Sequence, residues 1–451
     1  MNLFDILKNT VKEASEARGI TEYELYYSED ASISAETYRD EISAFSSSVG
    51  GMLLYRCIVN GKIGYASTER MDTEEMSALV ERAAINASCV EKDDRAIIFG
   101  GASKEDYRTV PEYPFTMPTA AVIKEEAMKC RDILYAADSR IADGTECGAV
   151  ASHSTIRLFN SHGLDLGISV GNCGEYLQAV LDNGEEKQFD YDFLYNSFGD
   201  TNRDVLTSIA SDVVHSAEAK FGAGKVATGK YNIIFDHKQM CAIIGTFRSA
   251  FYAENVQKGL SLLKDKTGEI IASPCITLVD DPFYEKNPMQ IPFDGEGVPT
   301  RTKNVIENGV LKTLLYNLSS AEKDGVVSTG NASRSAASIG TRAFSFYIKP
   351  GSMTRDELFA QASDGIYVTE MKGFHAGANP VTGDFSIESA GFLIKDGKIG
   401  APVKSFTVAG NFFELLKQIS AIDNVLEMKA PGFSQIGSPD VLVPGMSVAG
   451  E

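Results

Sequence analysis

The chain opens with apolar residues at helical spacing: Leu3, Ile6, Leu7, Val11 and Ala14 recur every three or four positions, and Gly19 stands where a helix-stopping cap belongs. Stretches rich in aromatic and β-branched residues follow at Tyr23–Ser28, Ile33–Tyr38 and Met52–Val59. Asn60-Gly61 then supplies the dipeptide that a two-residue hairpin turn requires, because both central positions need positive φ. Asp72 and Glu75 have capping-box spacing ahead of a helix through Ala87, and Ile123, Ala127, Cys130 and Leu134 share one face of a helix over 119–137. From Gly148 to Leu194 the pattern predicts strands broken by turns at Asn160–Gly163 and Gly171-Asn172. A helix between Asp204 and Phe221 would turn Val205, Ile209 and Val213 inward and His215 to solvent.

The small, flexible run Gly222–Gly229 just after that helix marks the expected domain boundary, giving domains 1–222 and 223–451. Beyond it, Tyr231–Phe235 reads as a short buried strand, and Cys241, Ile244, Phe247 and Phe251 place a helix over about Lys238 to Asn255. Strands are then expected to dominate until Thr354, whose spacing to Glu357 opens another helix. A last helix near Phe412–Ile419 precedes a strand at Val441–Val448. Short strands with helices kept apart from them define an α+β fold class for both halves. The chain shows neither an internal repeat nor a low-complexity segment.

Composition narrows the classes of function. A chain of 451 residues with 43% apolar residues can bury two cores without staples. Seven cysteines, an odd number lacking any C-x-x-C, read as isolated thiols of a reducing compartment, so a cytoplasmic location is expected. Asp5 and Lys8 interrupt the apolar residues of the first helix, unlike a secretory signal, and no run reaches 18 apolar residues, so no membrane partner is expected. The net charge of −20 opposes direct contact with nucleic acid, whose binders neutralise phosphates with Lys and Arg. Solubility alone accounts for that acidity.

Candidate chemistry concentrates in Gly373–Lys398, where Asn379-Pro380 and Thr382-Gly383-Asp384 each force a bend that would present Thr382, Asp384 and Ser386 together. Two tight turns joining strands would use the same residues. His375 is the one histidine of this segment and, with Asp384 near in sequence, forms a candidate acid/base pair, although a histidine bonded to a loop carbonyl is the commoner arrangement. Ser386 has no G-x-S-x-G elbow, and Cys173 lies beside Glu175 with no local cation to lower its pKa. Gly222-Ala-Gly-Lys-Val lacks phosphate-loop spacing. Glu296 and Arg301 bracket a turn, and a surface hairpin closed by their ion pair is expected.

The Gly373–Lys398 segment is similar to the signature of the TldD/PmbA family, often described as modulators of DNA gyrase. Further matching segments occur in the same order: Gly61–Thr68, Phe293–Arg301, Ile306–Lys312, Ser328–Ala332 and Val408–Asn411. The resemblance implies an N-terminal α/β domain and a C-terminal domain with a large antiparallel, barrel-like sheet. It also implies one of two subunit kinds. TldD-like chains resemble zinc metalloproteases with a His-Glu-x-x-x-His motif on a helix; PmbA/TldE-like chains lack that motif and pair with them. The five histidines, at 153, 162, 215, 237 and 375, come no closer than nine residues apart, so no helix offers two on one face.

Alignment through Ser261–Glu269 lays the protease motif over Gly245–Ala250, where both histidines and the glutamate are missing. The cysteine ligand expected near the C-terminus of TldD-like chains is missing too, since the last cysteine is Cys275. The resemblance therefore implies a PmbA/TldE-like subunit without zinc or other cofactor. Its partners would be a second copy and/or a zinc-holding TldD-like chain, and its substrate unstructured peptide. His375, Asn379, Thr382, Asp384 and Ser386 are the candidate substrate-binding residues. A peptide held as an added strand could be lined by Asn379, Thr382 and Asp384, or those residues shape only a subunit contact. The alternative reading is a stand-alone homodimeric peptide-binding regulator, related to gyrase modulation or antitoxins, without proteolysis.

Overall fold

A computed structural model of the chain describes residues 3–90, 96–111, 115–195, 198, 202–335 and 338–451. The first helix, α1 (Leu3–Ala17), buries Leu7, Val11 and Ala14, while the side chain of Leu3 lies outside the described part. Next come β1 (Glu22–Tyr38), β2 (Glu41–Val59), β3 (Lys62–Thr68), α2 (Thr73–Cys89), α3 (Ala120–Ala137), β4 (Glu146–Asn160), β5 (Asp165–Asp182), β6 (Lys187–Tyr195) and α4 (Arg203–Glu218). The six strands form one antiparallel sheet in the order β3-β2-β1-β4-β5-β6. Alternation decides what covers it. Tyr23, Leu25, Ile33 and Ala35 of β1 face the helices, joining Met76, Leu79 and Ala83 of α2 and Ile123 and Ala127 of α3. Tyr26 faces the other way and packs with Leu54, Ile156 and Leu158 against Phe293 and Phe344 of the C-terminal half.

That half begins with β7 (Gly229–Phe235), α5 (His237–Phe247) and α6 (Ala253–Gln257). The middle of it holds β8 (Leu278–Asp281), β9 (Lys303–Glu307), β10 (Val310–Leu311), α7 (Leu318–Asp324), β11 (Ala332–Arg334), β12 (Ile339–Thr341) and β13 (Ser345–Ile348). It closes with α8 (Arg355–Ala362), β14 (Gly365–Lys372), α9 (Phe374–Gly377), β15 (Asp384–Lys395), β16 (Lys398–Asn411), α10 (Phe412–Gln418), β17 (Ala421–Ile422), β18 (Glu427–Met428), β19 (Gln435–Ser438) and β20 (Val441–Ala449). Strands β16-β15-β14-β7-β20 close on themselves through a β16–β20 pairing into a five-stranded barrel, antiparallel except where β7 runs parallel to β14. A second sheet, β10-β9-β8-β13-β19-β18, shares its core with the barrel. The α+β class thus holds.

Several elements depart from the sequence pattern. Tyr23–Ser28 and Ile33–Tyr38 are one continuous strand, and β2 starts eleven residues before Met52, at Glu41. Gly171-Asn172 is no turn but the middle of β5, where a Cβ on Gly171 would lie 2.1 Å from the Phe115 ring. The buried face of α4 is Leu206, Ala210, Val213, Val214 and Ala217, so Val205 points to solvent, 46% exposed, with His215 exposed as expected. The helix expected over Lys238–Asn255 breaks into α5, a 3-10 turn at Arg248–Phe251 and α6. Between the sheets, α7 is a helix where the sequence pattern calls for strands; Asn317 caps its start, and Gly325, in the left-handed region at φ 67°, its end.

Candidate functional site

The Gly373–Lys398 segment folds into the one-turn helix α9, a tight loop and the strand β15, and side-chain atoms of Asn379 and Asp384 help to hold that loop. Asn379 Oδ1 accepts the N–H groups of Val381 (3.0 Å) and Thr382 (3.3 Å), and Gly383 N–H donates back to the Asn379 carbonyl (2.8 Å). Asp384 Oδ1 accepts from Asn411 Nδ2 (2.9 Å), which also donates to the Thr382 carbonyl (2.9 Å). Asn411 is itself the N-cap of α10, taking the N–H of Phe413 on Oδ1. Two segments of the sequence signature, 373–398 and 408–411, are thereby tied together through one asparagine. The bonds from Asn411 and Thr382 hold the Asp384 carboxyl below the usual range.

Asn379, Thr382 and Asp384 therefore stand side by side, exposed, at one end of the barrel. Ser386 follows two residues along β15 with its side chain in solvent. His375 is exposed on α9, and no hydrogen bond or ion pair among the described residues joins it to Asp384.

Helix α5 lies directly beneath this hairpin. Phe247 stacks on Phe412 at 4.7 Å and tilts against Phe385 of β15 at 6.3 Å. The stretch Gly245–Ala250, where the family alignment lays a metal motif, thus adjoins the signature loop in space although some 130 residues separate them in sequence. Its side chains are a hydrogen, Thr246, Phe247, Arg248, Ser249 and Ala250, none of which is a good ligand for zinc. Among the described residues, no three His, Cys, Asp or Glu side chains gather closely enough to hold a metal ion.

Two other signature segments, 293–301 and 328–332, help to build a buried polar core between the N-terminal sheet and the C-terminal half. Arg56 of β2, 2% exposed, grips Glu24 of β1 through two hydrogen bonds (3.0 and 3.2 Å) and reaches Glu296 at 3.3 Å. Arg334 of β11 also pairs with Glu24 and donates to the Gly295 carbonyl. Asp294 accepts the N–H groups of Glu296, Val298 and Ala332, tying 293–301 to 328–332, while burial and the Glu296 charge push its carboxyl pKa up. Asn331 donates to Asp280 (2.7 Å) and accepts from Lys303 (3.0 Å). The surface pair expected between Glu296 and Arg301 does not form: Glu296 is 3% exposed and committed to Arg56, and Arg301 donates to the Ser328 carbonyl. A cleft of about 450 Å³ opens above Arg56 and Glu296, rimmed by Tyr65, Lys258, Asn317 and Lys323. Little in the local sequence announces this network, because the partners of Arg56 lie 32 and 240 positions away from it.

A titratable cluster occupies the mouth of β7 and β20. Asp236 caps α5 through Gln239 N–H (2.7 Å), and burial pushes its carboxyl up to about 7. Asp440 accepts the His237 N–H (2.7 Å) and the Tyr367 hydroxyl (3.2 Å), with Arg355 3.6 Å away. Burial raises Asp423 to about 6. Burial works against charge on His237, yet the Asp440 bond and the Asp236 charge leave its pKa raised. All three shifts are upward, so the stability they carry is full at acid pH and lost as pH climbs through the folded values. The urea midpoint is expected to fall between about pH 5 and pH 7, above the ordinary carboxylate range and up to the raised values of Asp423 and Asp236, and Asp236→Asn, which keeps the capping oxygen, to flatten that slope. A midpoint that rises over the same interval would contradict this.

Comparison with known proteins follows the same geometry. The profile of the PmbA/TldA metallopeptidase C-terminal domain matches residues 228–450, and that of the PmbA/TldA metallopeptidase domain 1 matches residues 23–87. The metalloprotease PmbA of Escherichia coli O157:H7 is 27% identical over 95% of this chain and 92% of its own length. The crystal structure of TldE from Thermococcus kodakarensis superposes with a TM-score of 0.87 at 25% identity, covering 98% of this chain and 99% of that one. A Thermotoga maritima MSB8 protein of solved structure, a candidate modulator of a DNA gyrase, gives a TM-score of 0.88 at 26% identity over 99% of this chain and 100% of that one.

Proposed function

The chain belongs to the PmbA/TldD family, and on that premise we propose that it is the PmbA/TldE-type subunit of a metalloprotease system acting on unstructured peptides, with the zinc held by a TldD-like partner. One observation carries the reading: the helix–turn at Gly245–Ala250, packed under the signature hairpin, offers glycine, threonine, phenylalanine, arginine, serine and alanine where a zinc protease needs imidazoles and a carboxylate. Zinc would supply a water acidified for attack on an amide; this chain has no side chain there to hold the ion. Its own contribution is to shape and hold peptide. The exposed trio Asn379, Thr382 and Asp384, fixed by Asn411 to the end of the barrel, would offer its remaining hydrogen-bonding groups to an extended backbone.

Zinc titration followed by desalting tests the assignment. The lone chain should retain far less than one equivalent, and the complex with a TldD-like chain about one zinc per pair. Stoichiometric zinc on the lone chain would overturn it. Within the complex, Asp384→Ala is expected to slow peptide cleavage with little change in melting temperature, because an exposed carboxylate contributes little to the fold. Unchanged cleavage would leave the loop a merely structural device.

A further inference from the structure

Strand β5 is paired on both sides only in its second half. Residues 174–182 pair with β6, whereas residues 165–173 pair with β4 alone among the described residues. Hydrogen bonds at the two ends fix which way the backbone points: the Leu164 carbonyl accepts from Asn160 on the β4 side (3.1 Å), and the Asn183 N–H donates to Glu186 on the β6 side (3.3 Å). The ladders run without a register shift, so even-numbered residues serve β4, and Gly167 and Ser169 send N–H and C=O outward where β6 has ended. Both residues line a groove of about 930 Å³ whose far wall comes from residues 102–111 and whose floor includes Phe293. That wall is tied to the C-terminal half. The Tyr107 hydroxyl donates to the Gly297 carbonyl (2.8 Å), and the Arg108 guanidinium lies over the Phe283 ring at 4.6 Å.

We propose that this groove binds an extended, acidic peptide segment as an added strand along β5. Leu164 to Val170 makes six steps of about 3.4 Å, about 20 Å in all, which matches a strand of six residues. Bonds to the backbone of Gly167 and Ser169 give affinity whatever the sequence, while alternate side chains of the segment turn to Leu166, Ile168 and Phe293. The rim selects charge. Lys104 and Arg108 line the far wall, both exposed, and neither has a carboxylate partner among the described residues; Asp165, the acid that lines the groove, is held by Lys8 (2.6 Å). In a chain of net charge −20 this is a local reversal of sign, and it favours Asp or Glu on the incoming strand. The tied wall leaves width for one chain and not for the edge of a second folded sheet. The groove is separate from the Asn379–Asp384 loop and is read by binding alone, so its failure would leave the zinc assignment standing.

Fluorescence anisotropy on the full-length chain tests it. The probes are labelled Val-Glu-Val-Glu-Val-Glu, its counterpart with lysine in place of glutamate, and the acidic peptide N-methylated at every residue so that it donates no backbone hydrogen bond. The acidic probe is expected to bind saturably, the lysine peptide about tenfold more weakly, and the methylated one not at all. Reversing the rim with Lys104→Glu and Arg108→Glu, at exposed positions that leave the fold intact, should invert the preference between the two charged peptides. Ser169→Pro, which removes an outward N–H at an edge that tolerates proline, should weaken both by about fivefold or more. Hydrogen exchange locates the contact, since the Gly167 and Ser169 amides should exchange more slowly once the acidic probe is added. Absence of saturable binding, equal binding of the methylated peptide, indifference to the charge reversal, or protection that misses residues 167–169 would each overturn the proposal.

Discussion

Arg56→Met is expected to destabilise the chain by about 3–5 kcal/mol, because it strips one partner from a buried ionic network and leaves its carboxylates in place. Glu24 is fully buried and, among the described residues, would keep only Arg334, and Glu296 only the Leu318 N–H. The cost comes from stranded charge rather than from the lost attraction, so it should persist at high salt, where exposed pairs such as Arg39–Asp143 are screened. Arg56→Lys should rescue little, since an ammonium cannot make the paired contacts to Glu24 and still reach Glu296. Urea unfolding of both variants, at low and high salt, reads the effect. A loss below about 1 kcal/mol would mean that the network is not the clamp between the two halves described here.

Gly64→Ala is expected to be as damaging through a single methyl group. Gly64 lies in β3 where α2 crosses it, and a Cβ there would fall 2.0 Å from the Ala83 carbonyl oxygen and 2.7 Å from the Ala87 nitrogen. Both atoms belong to helix backbone, so relief requires α2 to leave the sheet, opening the cluster of Met76, Leu79, Val80 and Ala83 against Leu53 and Tyr55. Overpacking of this kind costs upwards of about 3 kcal/mol where backbone must move. Gly61→Ala, three residues earlier, makes the contrast. It has open space around it and a φ of 74°, so the penalty is the left-handed conformation alone, about 1–2 kcal/mol. Expression yield and thermal midpoint of the two variants, side by side, separate room from dihedral angle as the reason for each glycine. Equal losses would contradict the packing account.

These two positions also mark what the sequence could and could not disclose. Local chemistry was legible. The Asn60-Gly61 turn is there with both φ angles positive, Thr354 and Glu357 form their reciprocal cap, and α1 buries Leu7, Val11 and Ala14 of the stripe its spacing announced, with Ile6 exposed. The early half of β2 was not legible, because a strand with solvent on its outer side needs no β-branched residues; only the ladder to β1 makes Ser46, Ser47 and Ser48 a strand. The same holds for the ionic core. Glu296 reads as half of a surface turn with Arg301 until the fold brings Arg56 to it across 240 positions. One hint existed: Phe293-Asp-Gly-Glu-Gly-Val places two carboxylates within a run of apolar residues and glycines, which leaves little room for both to reach water. For the candidate site, turn chemistry in 373–398 predicts Thr382, Asp384 and Ser386 together at a bend; the structure puts Thr382 and Asp384 in a loop with Asn379 and leaves Ser386 two residues along β15, and the asparagine that locks the loop, Asn411, sits 27 residues beyond Asp384 and enters only through the β15–β16 register.

The most direct test of the account is cleavage of an unstructured peptide by this chain alone and by its mixture with a TldD-like chain. The account predicts no turnover by the chain alone, with or without added zinc, and chelator-sensitive turnover by the mixture above that of the TldD-like chain by itself. Zinc-dependent cleavage by the isolated chain, abolished by chelation, would contradict it.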